Sequence, residues 1–370
     1  MKVVIAPDKF KGCLTAERVA DAMAVGVRRA RPDAVIDLCP MSDGGEGFVS
    51  TMIRACGGRL VTRRVTGPLP EMKVNAIFGI LTDRTAILEM SSASGIELLK
   101  PDELNPEATT TFGTGELLLA AVEEGCTMII LGIGGSATID GGIGCCHAVG
   151  LPVLLDGGEP TSLTEPLCGR DLPRVVRIKS HRGDKLAGVD ITVACDVTNP
   201  LYGPRGAARV FGKQKGATDE QIEQFDLWLA QLARRCGMDE IAERPGAGAA
   251  GGLGFGMMAF FGATMRPGSE LVITATNLRN RLRGADLCIT GEGRFDTTSG
   301  GGKVPGGVAD ICREVSVPCS AICGSIAADA IHPFTSVQSL RSRVSSTEEA
   351  MKRAAQLISD AAAECVSTTR

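Results

Sequence analysis

Short apolar runs rich in Val, Ile and Leu alternate with segments of helical period along most of the chain. KVVIAP near the amino terminus leads into TAERVADAMAVGVRRA, whose Ala and Val positions recur at helical spacing and whose basic last turn complements the helix dipole. VIDLCP then runs through MSDGGEG to a second helix that ends at Gly57 and Gly58. The same strand, loop, helix rhythm returns in ADLCIT before GEGRFD and in VPCSAICGS, and EEAMKRAAQLISDAAAE reads as a closing helix. This alternation predicts an α/β protein built on parallel sheet.

Between these stretches the texture changes. Residues 67–282 open on the Pro-bounded GPLPE, continue through the hairpin-like pair KVNAIFGIL and TAILEM, and hold several long Gly-rich loops. The pattern predicts a split first domain, residues 1–66 joined with 283–370, and a second α/β domain, residues 67–282, inserted into it. Open parallel sheets bind ligands beyond the carboxyl ends of their strands. DKFKG, SDGGEG and GEGRFD each follow an expected strand and so gather on one edge, while TTFGTGE, GGSATIDGG, CDVTNPLYGP and GAGAAGGLG belong to the inserted part. The expected active site is the cleft between the two domains.

Composition removes several classes of function. With 370 residues and 44% hydrophobic content the chain can bury more than one core. A net charge of -4 and the lack of long basic runs argue against nucleic acid or anionic membrane as the main partner. No signal-peptide pattern and no uncharged apolar run of membrane-spanning length are present, so a soluble cytoplasmic protein is expected. Most of the fourteen cysteines sit in apolar runs without paired CxxC spacing, which reads as reduced core residues. His147 in GCCHAVG reads as a packed helical residue, and His181 and His332 as surface or loop residues, so histidine catalysis is not expected.

Two familiar phosphate motifs are also excluded. A Walker A loop needs GK followed by Ser or Thr, yet Lys303 precedes Val304 and Lys213 precedes Gln214. GAGAAG at 246–251 fits GxGxxG, but Pro245 and a polar helical segment precede it where a strand is required.

What remains is carboxylate, hydroxyl and lysine chemistry on Gly-rich loops. TGEGRFDTTSGGGKVPGGVA, residues 290–309, sets Glu292, Arg294, Asp296 and Lys303 among glycines, a mixture suited to polyphosphate with a metal ion. In DKFKG, Lys11 is placed to hold a substrate carboxylate or phosphate, whereas Asp8 makes either a turn or a ligand contact. Asp43 and Glu46 of SDGGEG, set beside GEGRFD, form an acidic cluster able to hold magnesium. GGSATIDGG alternates Ser136, Thr138 and Asp140 among glycines whose amides can form an anion nest. Asp196 ends the run ITVAC and is followed by Thr198, Asn199, Arg205, Arg209, Lys213 and Lys215. That basic run is either a solvated helix face or an anion site beside an acceptor-activating carboxylate. The inventory matches phosphoryl transfer, in which catalysis is mostly positioning and charge stabilisation.

These residues, in this order, resemble the bacterial class I glycerate kinases. The resemblance runs through PDKFKG, SDGGEG, TTFGTGEL, GIGGSATIDGG, CDVTNPLYGPRGAARVFGKQKGA, GAGAAGGLG and TGEGRFD with GGKVPGGVA, nearly the whole chain. It implies ATP-dependent phosphorylation of glycerate, typically to 2-phosphoglycerate, by a discontinuous flavodoxin-like parallel-sheet domain with a second α/β domain inserted. On this reading the expected catalytic groups are Asp196 as general base with Lys11 and Asp296. Asp8, Asp43, Ser136, Thr138, Asp140, Thr198, Asn199 and Arg205 are expected at the substrate. Thr114, Gly115, Gly251, Glu292, Arg294, Gly301, Gly302 and Lys303 are expected at ATP, and Asp43, Glu292 and Asp296 at Mg2+.

The chain departs from the family pattern at several of these loops. Lys9 stands where Ser is usual, Ile139 where the loop usually reads SATNDGG, Thr298 and Ser299 where a Gln-Thr pair is usual, and Met41 and Ser42 where Leu-Ala is usual. Ile139 is the most consequential, because an asparagine amide there could hydrogen-bond a ligand. The alternatives left open are a kinase for a related small hydroxy acid and a ligand-binding homologue of weakened catalysis.

Overall fold

In this computed structural model the described residues are 1–157, 165–179, 184–296 and 303–368. The strands, in chain order, are β1 (Lys2–Ile5), β2 (Val35–Leu38), β3 (Gly58–Thr66), β4 (Lys73–Leu81), β5 (Thr85–Glu89), β6 (Met128–Gly132) and β7 (Val153–Leu155). They continue with β8 (Val175–Ile178), β9 (Asp190–Ala194), β10 (Thr264–Arg266), β11 (Leu287–Phe295), β12 (Cys319–Ile326) and β13 (Ser336–Ser339).

The chain divides into two units, one of Met1–Asp43 with Pro267–Arg370 and one of Gly44–Arg266. The first unit is organised on a five-stranded sheet in the order β13-β12-β11-β1-β2, with every pair parallel. Counting only this unit's strands, the order is that of flavodoxin, and its switch point lies between β1 and β11. Helix Ala16–Ala30 joins β1 to β2, and the Thr15 side chain caps it by accepting from the Arg18 amide. Its Val19, Met23 and Val27 pack with Leu357, Ile358 and Ala361 of the last helix, Ala354–Thr368, against Val3, Ile5, Leu287 and Ile289. The expected single closing helix is thus two pieces, Thr347–Lys352 and Ala354–Thr368.

Side chains alternate across a strand, so Cys288 points opposite to Leu287 and Ile289. It pairs in register with Cys319, and both meet Cys312 of helix Val304–Glu314, the three sulfur atoms lying within 4.8 Å of one another. Ten of the fourteen cysteines are buried, whereas Cys13, Cys195 and Cys236 are half-buried and Cys56 is exposed.

The second unit holds a six-stranded sheet in the order β10-β9-β6-β5-β4-β3. Strands β5, β6, β9 and β10 are parallel, and β4 runs antiparallel to both β5 and β3. The KVNAIFGIL and TAILEM pair is therefore a hairpin, β4 to β5. Phe78, Leu88, Leu131, Val193, Phe225 and Phe255 belong to one large core in this unit. A short antiparallel pair, β7 with β8, flanks it.

The division falls at Asp43 and Arg266, away from the 66 and 282 suggested by texture. β3 pairs with β4 from Gly58 to Thr66, and Gly79 of β4 leaves room for Val49 and Ile53 of helix Phe48–Cys56, so residues 44–66 stay with the second unit. At the other end, Ile273 of helix Gly268–Ala275 packs at Gly307 of the first unit's helix Val304–Glu314. Among the described residues no helix is long and apolar enough to cross a membrane.

Candidate functional site

In the first unit, the acidic residues expected from the sequence follow the carboxyl ends of the central strands. The chain leaving β1 stays beside β11: the Ala6 amide donates to the Ile289 carbonyl and the Asp8 amide to the Gly291 carbonyl, both at 2.8 Å. Thr290 ties the same junction through its hydroxyl, which donates to the Ala6 carbonyl at 2.8 Å. The chain leaving β2 follows β1, with the Met41 amide donating to the Pro7 carbonyl. These ladders bring Asp8, Asp43 and Glu292 to one place at the switch point.

Their electrostatics are those of a crowded anionic site. The pKa of Asp8 is pushed up to about 8, first by burial and then by the negative charge of Asp43, with Glu292 adding to it. Lys9 opposes this: its ammonium donates to Asp43 Oδ1 at 3.0 Å, and its amide donates to Asp8 Oδ1 at 2.7 Å. The residue that departs from the family's usual Ser is therefore the cation that binds the acidic pair. Glu292 is buried at 8% exposure, and Asp296, just past β11, is half-buried.

Other expected residues of this unit lie nearby in sequence with more open side chains. Lys11 is exposed in the turn closed by the Phe10–Leu14 bridge, and its amide lies against Gly293 of β11. Arg294 is exposed on β11, and half-buried Lys303 is the residue before helix Val304–Glu314. The start of a helix of eleven residues leaves amides without intrahelical partners, a setting that favours phosphate, although Pro305 in this first turn has no N–H to offer. Thr298, Ser299, Gly301 and Gly302 lie outside the described residues.

In the second unit the loops after β6 and β9 meet the Gly44–Gly45 turn. A Cβ on Gly132 would sit 2.2 Å from the Gly44 carbonyl oxygen, and one on Gly134 would sit 2.7 Å from the Gly45 Cα. Gly132 and Gly134 are thus required by the close approach of their backbone to the Gly44–Gly45 turn. Glu89, at the end of β5 and not singled out by sequence, accepts from the Val49 amide at 2.6 Å, which places its carboxylate at the start of helix Phe48–Cys56.

The three polar residues of GGSATIDGG separate in role. Asp140 is fully buried and accepts four hydrogen bonds, from the Thr111 amide and hydroxyl at 2.8 and 2.7 Å and from the Gly142 and Gly144 amides at 3.0 and 3.3 Å. Burial raises its pKa, and these donors partly offset the rise. Expected at the substrate, Asp140 is given over to joining the 109–111 segment to the start of helix Ile143–Ala148. Ser136 keeps 8% exposure, whereas Thr138 is fully buried and its hydroxyl has no hydrogen-bond partner among the described residues.

Ile139 lies fully buried within the large core of this unit. Its side chain points into packing, which gives the apolar replacement of the family's usual asparagine a physical reason.

Three residues expected at ATP are closely packed within the second unit. Thr114 is buried in helix Phe112–Glu123, with its hydroxyl 3.0 Å from that of Ser94. A Cβ on Gly115 would sit 2.7 Å from both the Ala148 Cβ and the Cys145 carbonyl, so this glycine lets two helices touch. Gly251, at φ +65°, lies where a Cβ would come within 1.9 Å of the Thr138 carbonyl. The segment before GAGAAG is helix Asp239–Ala242, as the exclusion of a dinucleotide fold requires. His147 packs its ring edge-on to Phe112 at 5.5 Å.

Beyond β9, Asp196 is half-buried, Thr198 and Arg205 are exposed, and the Asn199 side-chain Nδ2 donates to the Arg205 carbonyl at 2.8 Å. The basic run that follows splits in two. Arg209 pairs with Glu223 at 2.5 Å and with Asp226 at 3.2 Å, and Lys213 pairs with Asp219 at 2.8 Å, all on the surface. Lys215 turns inward to 2% exposure, its ammonium donating to Ser136 Oγ at 2.6 Å and to the Thr138 carbonyl at 2.7 Å.

The model of the Glycerate kinase family matches residues 3–370. The glycerate kinase of Halalkalibacterium halodurans is 44% identical over 97% of this chain and 96% of its own length. The glycerate 2-kinase of Escherichia coli K12 is 43% identical over 96% of this chain and 94% of its own. A crystal structure from Salmonella typhimurium LT2, of a protein provisionally named glycerate kinase 2, superposes with a TM-score of 0.80 at 42% identity, covering 100% of this chain and 98% of that one. Family match, identity over nearly the full length and shared fold agree: the chain belongs to the glycerate kinase family.

Proposed function

We propose that this protein is a glycerate kinase that transfers the terminal phosphoryl group of ATP to a hydroxyl of glycerate, giving 2-phosphoglycerate. The observation that carries the reading is the meeting of Asp8, Asp43 and Glu292 at the switch point of a flavodoxin-order sheet, in a chain matched to the family from end to end. Hard oxygen donors in a mutually repelling group suit a magnesium ion, whose charge would relieve the repulsion that raises Asp8. Asp43 and Glu292, with Asp296, would hold it. When bound, it would neutralise phosphate charge during transfer.

The chain's own residues supply the rest. Lys11 and Lys303 would steady phosphate oxygens, the second with the amides that open its helix. Asp196 would accept the proton of the glycerate hydroxyl as it attacks phosphorus. Ser136 would donate to the acceptor, supported from behind by the tightly packed glycine backbone. Asp140 and Gly251 would act indirectly, by fixing the loop that carries Ser136. Burial of Ile139 in the core removes the main reason to expect a changed acceptor.

The test is ADP release from ATP and magnesium with glycerate, tartronate, erythronate and lactate offered separately, followed by phosphorus NMR of the product. Glycerate-dependent release with a phosphate signal coupled to the C2 proton is the expected outcome. Release without an acceptor, or with every acid except glycerate, would refute the reading.

A further inference from the structure

The first unit holds one cluster of thiols that phosphoryl transfer leaves unused. Cys288 is the second residue of β11 and Cys319 the first of β12, in register on neighbouring parallel strands, so both side chains leave the same face of the sheet. That face is opposite Leu287 and Ile289, and helix Val304–Glu314 brings Cys312 to it. The return from helix to β12 is closed by the Val317 amide, which donates to the Cys312 carbonyl at 2.9 Å, with Ser316 held at φ +58°. A non-glycine residue persists in that region only where its surroundings fix it, so the turn that carries the chain from Cys312 back to Cys319 is set. Glu292 lies further along β11, about 13 Å from Cys288 in an extended strand, which puts the cluster toward the other end of the sheet from the acidic group.

The three sulfur atoms lie within 4.8 Å of one another, each residue at 4% exposure or less, and no His, Asp or Glu among the described residues joins them. Two sulfurs bound to one thiophilic centre at about 2.3 Å lie at most about 4.6 Å apart, so the three fit around a single atom with small rotamer adjustments. An all-sulfur set rejects hard ions such as magnesium. Zinc calls for a fourth ligand, and the cluster offers three. Charge then decides. Arg313, the adjoining cation in the helix, is exposed and paired with Asp310 at 2.8 Å. Three thiolates around a monovalent or divalent ion would leave a net negative charge in this dry setting, whereas around a trivalent centre they leave none. The Cys312 sulfur accepts from the Cys288 and Cys319 thiols, which holds its pKa below the ordinary 9.0 against the effect of burial. Cys312 is thus the thiol readiest to act as a nucleophile.

We propose that Cys288, Cys312 and Cys319 form a binding site for trivalent arsenic, taken up as arsenous acid into a neutral three-thiolate centre. Cys312 forms the first As–S bond, and the hydroxide it displaces leaves as water with the thiol's proton. Cys288 and Cys319 follow in the same way. Three thiols and one arsenous acid give one arsenic trithiolate and three waters, with three As–O bonds broken, three As–S bonds formed and arsenic trivalent throughout. The centre ties helix Val304–Glu314 to β11 and β12. Its formation requires neither ATP nor glycerate, so it stands whether or not the chain is a kinase.

The experiment is arsenite titration of the full chain, kept reduced with a phosphine so that no added thiol competes. One arsenic per chain should survive gel filtration, and X-ray absorption at the arsenic edge should show three sulfur neighbours and no oxygen. Cys288→Ala, Cys312→Ala and Cys319→Ala should each weaken binding by about tenfold or more and remove the three-sulfur signature. Cys56→Ser, at an exposed thiol outside the cluster, should change neither. Cadmium, thiophilic but divalent, should fail to displace arsenic at equal concentration. Loss of arsenic on gel filtration, oxygen in the arsenic shell, or binding that survives Cys312→Ala would overturn the proposal, and displacement by cadmium would overturn the trivalent assignment. Should the alanine variants fail to fold by circular dichroism, X-ray absorption of the wild type still decides, because fewer than three sulfurs around arsenic would refute the site.

Discussion

Thr111 holds Asp140 twice, its amide and its hydroxyl both donating to Oδ2 at 2.8 and 2.7 Å. With the Gly142 and Gly144 amides the carboxylate accepts four hydrogen bonds in a fully buried position. Asp140→Ala would strand those donors, and a buried donor left unsatisfied costs about 1–3 kcal/mol. Because the donors relax together, the variant should lose about 3–5 kcal/mol of stability in urea unfolding. Wild-type stability with lost glycerate binding would instead make Asp140 a ligand contact.

The raised Asp8 carries a pH signature. Its pKa in the fold, about 8, lies above the ordinary value of 3.8, so the folded state binds its proton more tightly than the unfolded chain does. The resulting stabilisation is fully present below 3.8 and is lost as pH rises through about 8. Asp8→Asn keeps a neutral side chain at every pH. In chelator-treated protein, wild type should therefore lose stability relative to Asp8→Asn between pH 5 and 8, with a limiting slope of about 1.4 kcal/mol per pH unit. Parallel curves would show that Asp8 ionises normally.

Two carboxylates compete for the role of base. If Asp196 takes the acceptor proton, Asp196→Asn should lower kcat by about two to four orders of magnitude. Binding of ATP and of glycerate should survive. Asp296→Asn should weaken the dependence on magnesium instead, seen as a raised magnesium concentration for half-maximal rate. Intact turnover in Asp196→Asn with none in Asp296→Asn would exchange the two assignments.

How far the sequence could be read depended on whether a residue's setting is local. Asp8, Asp43 and Glu292 were legible because each follows or ends a strand-like run, and parallel strands deliver their carboxyl ends to one edge. Lys215 was not singled out, since four cations in a row read together as either a solvated face or an anion site, and nothing local records that Arg209 and Lys213 have surface partners while Lys215 folds inward. Thr114, Gly115 and Gly251 show the converse ambiguity. A glycine that lets helix touch helix, or loop touch loop, has the same sequence signature as one that admits a phosphate. The boundary at Asp43 was hidden because β3 declares its unit only through its pairing with β4.

Ile139 gives the sharpest separation between core and ligand. Its fully buried side chain belongs to the second unit's large core, while Ser136 and Thr138 of the same loop meet Lys215. Restoring the asparagine usual in the family, Ile139→Asn, would bury an amide among apolar side chains and remove the branched packing of isoleucine. Burying such a polar group costs about 1–3 kcal/mol on mutational scales, and the lost isoleucine contacts add a comparable amount. The variant should lose about 3 kcal/mol in urea unfolding. Ile139→Val, which removes one methylene, should lose only about 1 kcal/mol. Neither should change the ratio of kcat/KM between glycerate and erythronate, because the side chain is buried in the core. If Ile139→Asn kept its stability and shifted that ratio, position 139 would face the substrate and the loop would turn the other way.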